Sequence, residues 1–164
     1  MITFFAQPYD ISAMGFYFDS FDNYQAKART SRNNYGQPVE EFEIQFIDGD
    51  VDAAFANAFG INQANIARFI DLADEWGDDE KTRFIIAVGE CGYDRDCDPS
   101  QIDIDIYEID SLTDLARQFV DDGLFGDIPD RIACYLDYDL IARDLACDYS
   151  QTSVAGRHIV YRCG

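Results

Sequence analysis

Basic side chains are scarce in this chain. Its 164 residues hold 12 Lys plus Arg against 32 Asp plus Glu, only Lys27 and Lys81 are lysines, and the formal net charge is −20. A nucleic-acid binder needs a basic footprint, because phosphate contacts supply most of its affinity. This chain has the reverse, so neither a nucleic acid nor an anionic membrane surface is an expected partner. Histidine is nearly absent too: His158 stands alone. One His excludes the paired ligands of zinc hydrolases, and no H-E-x-x-H, G-x-S-x-G or Gly-rich phosphate loop occurs. No apolar run reaches the roughly 18 residues that span a bilayer. The opening Met1-Ile2-Thr3-Phe4-Phe5 lacks the basic segment of a secretory signal, so a cytoplasmic location is expected.

The five cysteines, Cys91, Cys97, Cys134, Cys147 and Cys163, form no C-x-x-C pair. Reduced thiols are the expectation without an export signal, and their spacing suits no standard zinc site. Asp94, Asp96 and Asp98 imitate the start of a calcium loop, but Pro99 stands where the loop needs Gly and Asp105 where it needs Glu. Asp137 and Asp139 are paired carboxylates, yet Asp139 and Arg143 are spaced for a surface ion pair on a helix. No metal, no cofactor and no catalytic residue is expected, and hence no enzyme.

What the chain does have is core material and evenly spread acid. Hydrophobic residues are 48% and aromatics 15%, enough to fold. Ile2–Phe5 and Gly15–Phe18 read as strands, 21–32 as a polar helix, and Phe42, Ile44 and Phe46 alternate with Glu43 and Gln45 as a half-buried strand. Asn62 reads as an N-cap before the helical spacing of Ile66, Phe69, Ile70 and Ala73. Asp71, Asp74 and Glu75 lie off that stripe. Asp78, Asp79 and Glu80 favour the start of a second helix through Val88. After a linker over 89–100, Ile102, Ile104 and Ile106 alternate with Asp103 and Asp105. Ser111 caps a helix that points Leu112, Leu115, Ala116 and Phe119 inward. A turn at 123–126, short helices near 129–135 and 137–146, and a hairpin over 150–163 complete the chain. The fold class is α+β. The expected modules are 1–48, an antiparallel sheet with one helix; 49–100, helical and acidic; and 101–164, a three-stranded sheet with short helices. Their formal charges are −4, −8 and −8, so the acid is no terminal tail.

B-DNA carries one charge per about 1.7 Å of axis, so twenty charges match roughly 34 Å of duplex. A compact chain of this length is about 40 Å across, a comparable charge density. Solubility or a high-salt proteome would also favour such composition, particularly its excess of Asp over Glu.

Near the C-terminus, Phe119-Val120-Asp121-Asp122-Gly123-Leu124-Phe125-Gly126-Asp127-Ile128-Pro129, then Tyr135-Leu136-Asp137-Tyr138-Asp139-Leu140-Ile141-Ala142-Arg143-Asp144-Leu145, closely resemble the C-terminal region of ArdA-type antirestriction proteins. The ending Ile159-Val160-Tyr161-Arg162-Cys163 is similar as well. Where the family has a Tyr…Gly…Gly…Trp hairpin, Tyr9, Gly15 and Phe16-Tyr17-Phe18 stand here without a Trp. The resemblance implies an elongated chain of three small modules that forms a homodimer through the last one. It also implies a DNA mimic that occupies the DNA-binding groove of Type I restriction–modification enzymes. Asp71, Asp74, Glu75, Asp78, Asp79, Glu80, Asp103, Asp105, Asp114, Asp121, Asp122, Asp127 and Asp130 would then form the phosphate-like array. Phe119, Gly123, Leu124, Phe125, Gly126, Ile128, Pro129, Tyr135, Asp137, Tyr138, Arg143 and Asp144 would form the family-like motif and share in the dimer contact. An inhibitor of another defence system, such as a CRISPR complex, and an acidic halophile adaptor are the alternative readings.

Overall fold

The computed structural model of the chain describes residues 2–48 and 50–164. Residues 1–100 form one compact unit and 101–164 another. The module boundary expected at 48/49 falls on Gly49, outside the described residues. The fold is α+β, with seven helices and two three-stranded antiparallel sheets among the described residues.

In the first unit, β1 (Phe4–Pro8) lies between β2 (Phe16–Phe18) and β3 (Phe42–Phe46). The alternation in β3 buries Phe42 and Ile44 and exposes Glu43 and Gln45. β1 begins and ends later than the apolar run suggested. Pro8 is tolerated because β2 pairs only with Phe4, Phe5 and Ala6, leaving β3 as the one neighbour at Pro8. Gly15 admits the chain into β2: a Cβ there would stand 2.8 Å from the Ala6 carbonyl oxygen. α1 (Phe21–Thr30) starts at Ser20, whose hydroxyl accepts from the Asn23 amide, and it buries Tyr24.

Three helices follow: α2 (Asp50–Phe59), α3 (Ile66–Glu75) and α4 (Asp78–Gly89). α3 begins one turn after the expected cap. Asn62 caps the turn before it: its side-chain oxygen accepts from the Ala64 and Asn65 amides, and its carbonyl accepts from Ile66. Sheet and helices share one aromatic core. Phe69 of α3 meets Phe4 edge-on with centroids 5.9 Å apart, and it also packs on Phe55 and Phe59 of α2. Phe84 of α4 and Trp76 close the cluster against Phe55. Such ring pairs add specificity beyond the area they bury.

In the second unit β6 (Arg157–Cys163) is central, between β4 (Ile104–Glu108) and β5 (Ser150–Val154). The hairpin turns at Ala155 and Gly156, both with positive φ, as tight hairpin turns require. α5 (Leu112–Asp121) lays Leu115, Ala116 and Phe119 on the sheet side, and α7 (Tyr138–Leu145) packs against α5. The short α6 (Asp130–Ala133) lies between them in sequence. Leu115, Phe119, Tyr149 and Val160 form this unit's core, lined by Tyr107, Ile109, Leu112 and Leu145. Cys97, Cys134 and Cys147 are free thiols, while the expectation of reduced cysteines does not hold at Cys91 or at Cys163. No helix of the described residues is long and apolar enough to cross a membrane.

Candidate acidic surface and the C-terminal motif

No described carboxylate is buried. Asp10, Asp105 and Asp114 are half-buried and every other described acid is exposed. The reason is local: each amphipathic element spends its apolar stripe on a core and turns its acids to water. On α3, Ile66, Phe69 and Ala73 face inward while Asp71, Asp74 and Glu75 face out. At 1.5 Å rise per residue, those three carboxylates span about 6 Å of helix axis, a mean spacing of about 3 Å, close to the roughly 3.4 Å between phosphates along one DNA strand.

The acids expected in the array fall into three physical groups. The first is neutralised. Asp105 accepts from Arg162 Nε at 2.9 Å and also from Nη2. Asp114 accepts from the Ser111 hydroxyl at 2.6 Å and pairs with Arg117 at 3.3 Å. The second group sits where helix dipoles welcome a negative charge: Asp78, Asp79 and Glu80 in the first turn of α4, and Asp130 in that of α6. The third sits where dipoles oppose it. Asp74 and Glu75 end α3, Asp121 ends α5 and Asp122 is its C-cap, and neither helix has a basic residue in its last turn. Asp71, Asp103 and Asp127 stand exposed outside these groups. Among the described residues, no ion pair engages any member of the second or third group.

The motif residues divide as well. Phe119 is buried, Ile128 and Tyr138 are half-buried, and Leu124, Phe125 and Tyr135 are exposed, Tyr135 by 82%. Gly123 and Gly126 have φ of +75° and +86°, a region that side chains adopt with strain, so the turn after α5 requires them. That turn sets Phe125 against Phe119 with centroids 6.5 Å apart. Pro129 precedes α6. Asp137 is the N-cap of α7, accepting from the Asp139 and Leu140 amides at 3.1 Å. Tyr138 lies under the Arg117 guanidinium, 5.4 Å from ring centroid to Cζ. Arg143 and Asp144 are exposed. The expected Asp139–Arg143 pair is replaced: Asp139 accepts from Thr113 Oγ1 at 3.1 Å, tying α7 to α5. Sequence reading missed Ile132 and Leu140, both about half exposed. An apolar residue on the outer face of a short helix gives no periodic signal over so few turns.

Other candidate chemistry is dispersed. His158 is exposed on the central strand rather than an edge strand, beyond the reach of β4, whose pairing ends at Ile159. It shares a cleft with Glu108, Asp110, Asp114 and Arg157, where Arg157 is held 3.2 Å from Glu108. The Asp94–Asp98 loop turns on itself: Asp98 accepts from the Ser100 amide and hydroxyl, and Pro99 is buried in a 3-10 turn over Pro99–Gln101. Burial, and then the neighbouring acids Asp96, Asp94 and Asp98, push the Cys97 thiol up. No group of three or more His, Cys, Asp or Glu side chains among the described residues is placed to hold a metal ion.

These features define a small acidic α+β protein whose notable chemistry is a charged surface and not a cleft. The sequence model of the family described as antirestriction protein (ArdA) matches residues 9–159. The chain therefore belongs to the ArdA antirestriction protein family. No curated protein matches it.

Proposed function

We propose that this protein is a cytoplasmic DNA mimic, not an enzyme, which inhibits Type I restriction–modification enzymes by occupying their DNA-binding groove. Family membership supports antirestriction. The observation that carries mimicry is the third group of acids. Asp74, Glu75, Asp121 and Asp122 stand at helix ends where a carboxylate is locally unfavourable. Solubility alone would be served as well by acids at neutral or favourable positions. Charge held against local stability points to selection for the field that it projects. A basic groove that normally receives phosphates is steered toward such a surface.

The protein acts without cofactor or nucleic acid, and as a homodimer. Leu124, Phe125, Ile132, Tyr135 and Leu140 are exposed apolar residues between positions 124 and 140 of the C-terminal unit, and exposed apolar side chains of this number support a protein–protein contact.

Mimicry is collective, so single neutralisations leave inhibition nearly intact. Replacing Asp103, Asp121, Asp122, Asp127 and Asp130 together with Asn weakens inhibition of a purified Type I enzyme, by about tenfold or more. Full inhibition by the folded five-site variant would contradict the proposal.

A further inference from the structure

One face of the first unit departs from the acidic pattern. All three cations of residues 1–48 lie between positions 27 and 32. Lys27 and Arg29 are in the last turn of α1, and Arg32 follows it. In a chain of 32 acids, none of the three is paired with a described carboxylate. Their bonds are to backbone: Lys27 Nζ donates to the Tyr17 carbonyl at 2.7 Å, and Arg32 Nη1 donates to the Arg29 and Ser31 carbonyls. That leaves two donors of Lys27 and most of the Arg32 fork unclaimed.

Lys27 and Arg32 line a groove together with Met14, Phe16 and Asn34. Met14 lines the groove, and Ile11 and Tyr35 are the chain neighbours of the lining residues Ser12 and Asn34. Ile11 is 100% exposed, Met14 86% and Tyr35 82%. The loops that carry them are tied to each other: the Asn34 amide donates to the Ser12 carbonyl, and Asn33 Nδ2 donates to Asp10 at 2.9 Å. Asp10 also accepts from the Ser12 amide and hydroxyl. Exposed Ile, Met and Tyr on a pinned loop pair are expensive in water, and a helix C-terminus accounts for the cations but not for these apolar side chains.

We propose that this groove is a second docking site, one that takes an acidic, partly apolar protein surface bordering the DNA groove of the restriction enzyme. This rests on the proposed function. The basic tip finds its charge complement outside the enzyme's own basic groove, and so adds orientation that a uniform acidic array lacks. A single-stranded nucleic acid, which could also use aromatic and basic side chains, is disfavoured by the chain's overall charge of −20.

The test turns on a sign. The variant Lys27→Glu/Arg29→Glu/Arg32→Glu takes the formal charge from −20 to −26 and makes the protein more DNA-like. If the array alone binds, affinity for the Type I enzyme stays equal or rises. If the tip docks, affinity falls by about tenfold. A second variant, Ile11→Ser/Met14→Ser/Tyr35→Ser, leaves charge untouched and weakens binding in the same way. Circular dichroism and a thermal melt confirm that both variants fold. Affinity unchanged or higher in both folded variants overturns the proposal while leaving mimicry standing. Loss of binding in the five-site Asp→Asn variant, measured alongside, reports on mimicry separately. Wild-type protein that does not bind the enzyme removes both readings. Binding of a labelled single-stranded oligonucleotide by wild type, lost in the Glu variant, would overturn the proposal in favour of a nucleic-acid site.

Discussion

Removing the acids at the helix C-termini should make the protein more stable and less effective. In the first unit, Asp74→Asn/Glu75→Gln acts at the end of α3; in the second, Asp121→Asn/Asp122→Asn acts at the end of α5. A charge at a helix end is worth about 0.3–1 kcal/mol at low ionic strength, and these exposed carboxylates belong at the lower end of that range. Each pair then contributes about 0.6 kcal/mol of relief, and a domain of 60–100 residues gains about 4–8 °C in Tm per kcal/mol. A rise of about 2–5 °C per unit is expected. General self-repulsion would be relieved by removing any acid, so the control is Asp78→Asn/Asp79→Asn. It removes the same charge from the first turn of α4, where the dipole favours it. The control should give a smaller rise or a fall. Differential scanning calorimetry at low salt, repeated at high salt where the difference shrinks, is the assay. Equal shifts for the two ends of the helices would refute the dipole reasoning. A stabilised variant carrying all four replacements with undiminished inhibition would refute its link to function.

Phe69→Ala should remove a ring that is fully buried between the sheet and α2, destabilising the first unit by about 3–5 kcal/mol; denaturant titration with Trp76 fluorescence reads it. Asp137→Ala should destabilise α7 by about 1 kcal/mol through loss of its cap, while Asp137→Asn keeps most of the cap and removes only the charge; a thermal melt with equal losses for both would deny the capping role. Hydrogen bonds from Asn33, then from Ser12, hold the Asp10 carboxyl below its ordinary value. Its folded pKa is therefore below its unfolded one, so the contribution is complete above the unfolded value and is lost as pH falls through the lower folded value. A carbonyl-detected NMR titration should show the loops at 10–13 and 33–37 loosening in that acid range, and not in Asp10→Asn, where loosening is already present at neutral pH.

Much of this architecture is legible in the sequence, for reasons that differ by element. The alternation in β3 survives because one face of the strand meets the core and the other meets water. α5 is bounded by Ser111, whose hydroxyl accepts from the Asp114 amide, and the glycines of the following turn announce its end. The reading blurred where chain order and local preference diverge. The apolar run ends at Phe5, yet β1 continues to Pro8, where its other neighbour has already ended. α2 was subsumed in a generally helical middle, although Phe55 and Phe59 four residues apart carried the signal. The acids were all legible as acids. What sequence alone could not separate was their setting: Asp105 and Asp114 are engaged by Arg162 and Arg117, Asp137 is a cap, and Asp121 and Asp122 stand free at an unfavourable helix end. Partners distant in sequence, such as Asp105 and Arg162, arise only from strand register. The basic tip between residues 27 and 32 was equally invisible, since its significance depends on loops 10–14 and 33–37 being brought beside it.

The most direct measurement is competition for the groove itself. A purified Type I restriction–modification enzyme is held on a labelled recognition duplex while the protein is titrated at two salt concentrations. DNA mimicry predicts displacement at near-stoichiometric amounts, with affinity that falls steeply as salt rises. Duplex that stays bound at large excess of the protein would contradict the account.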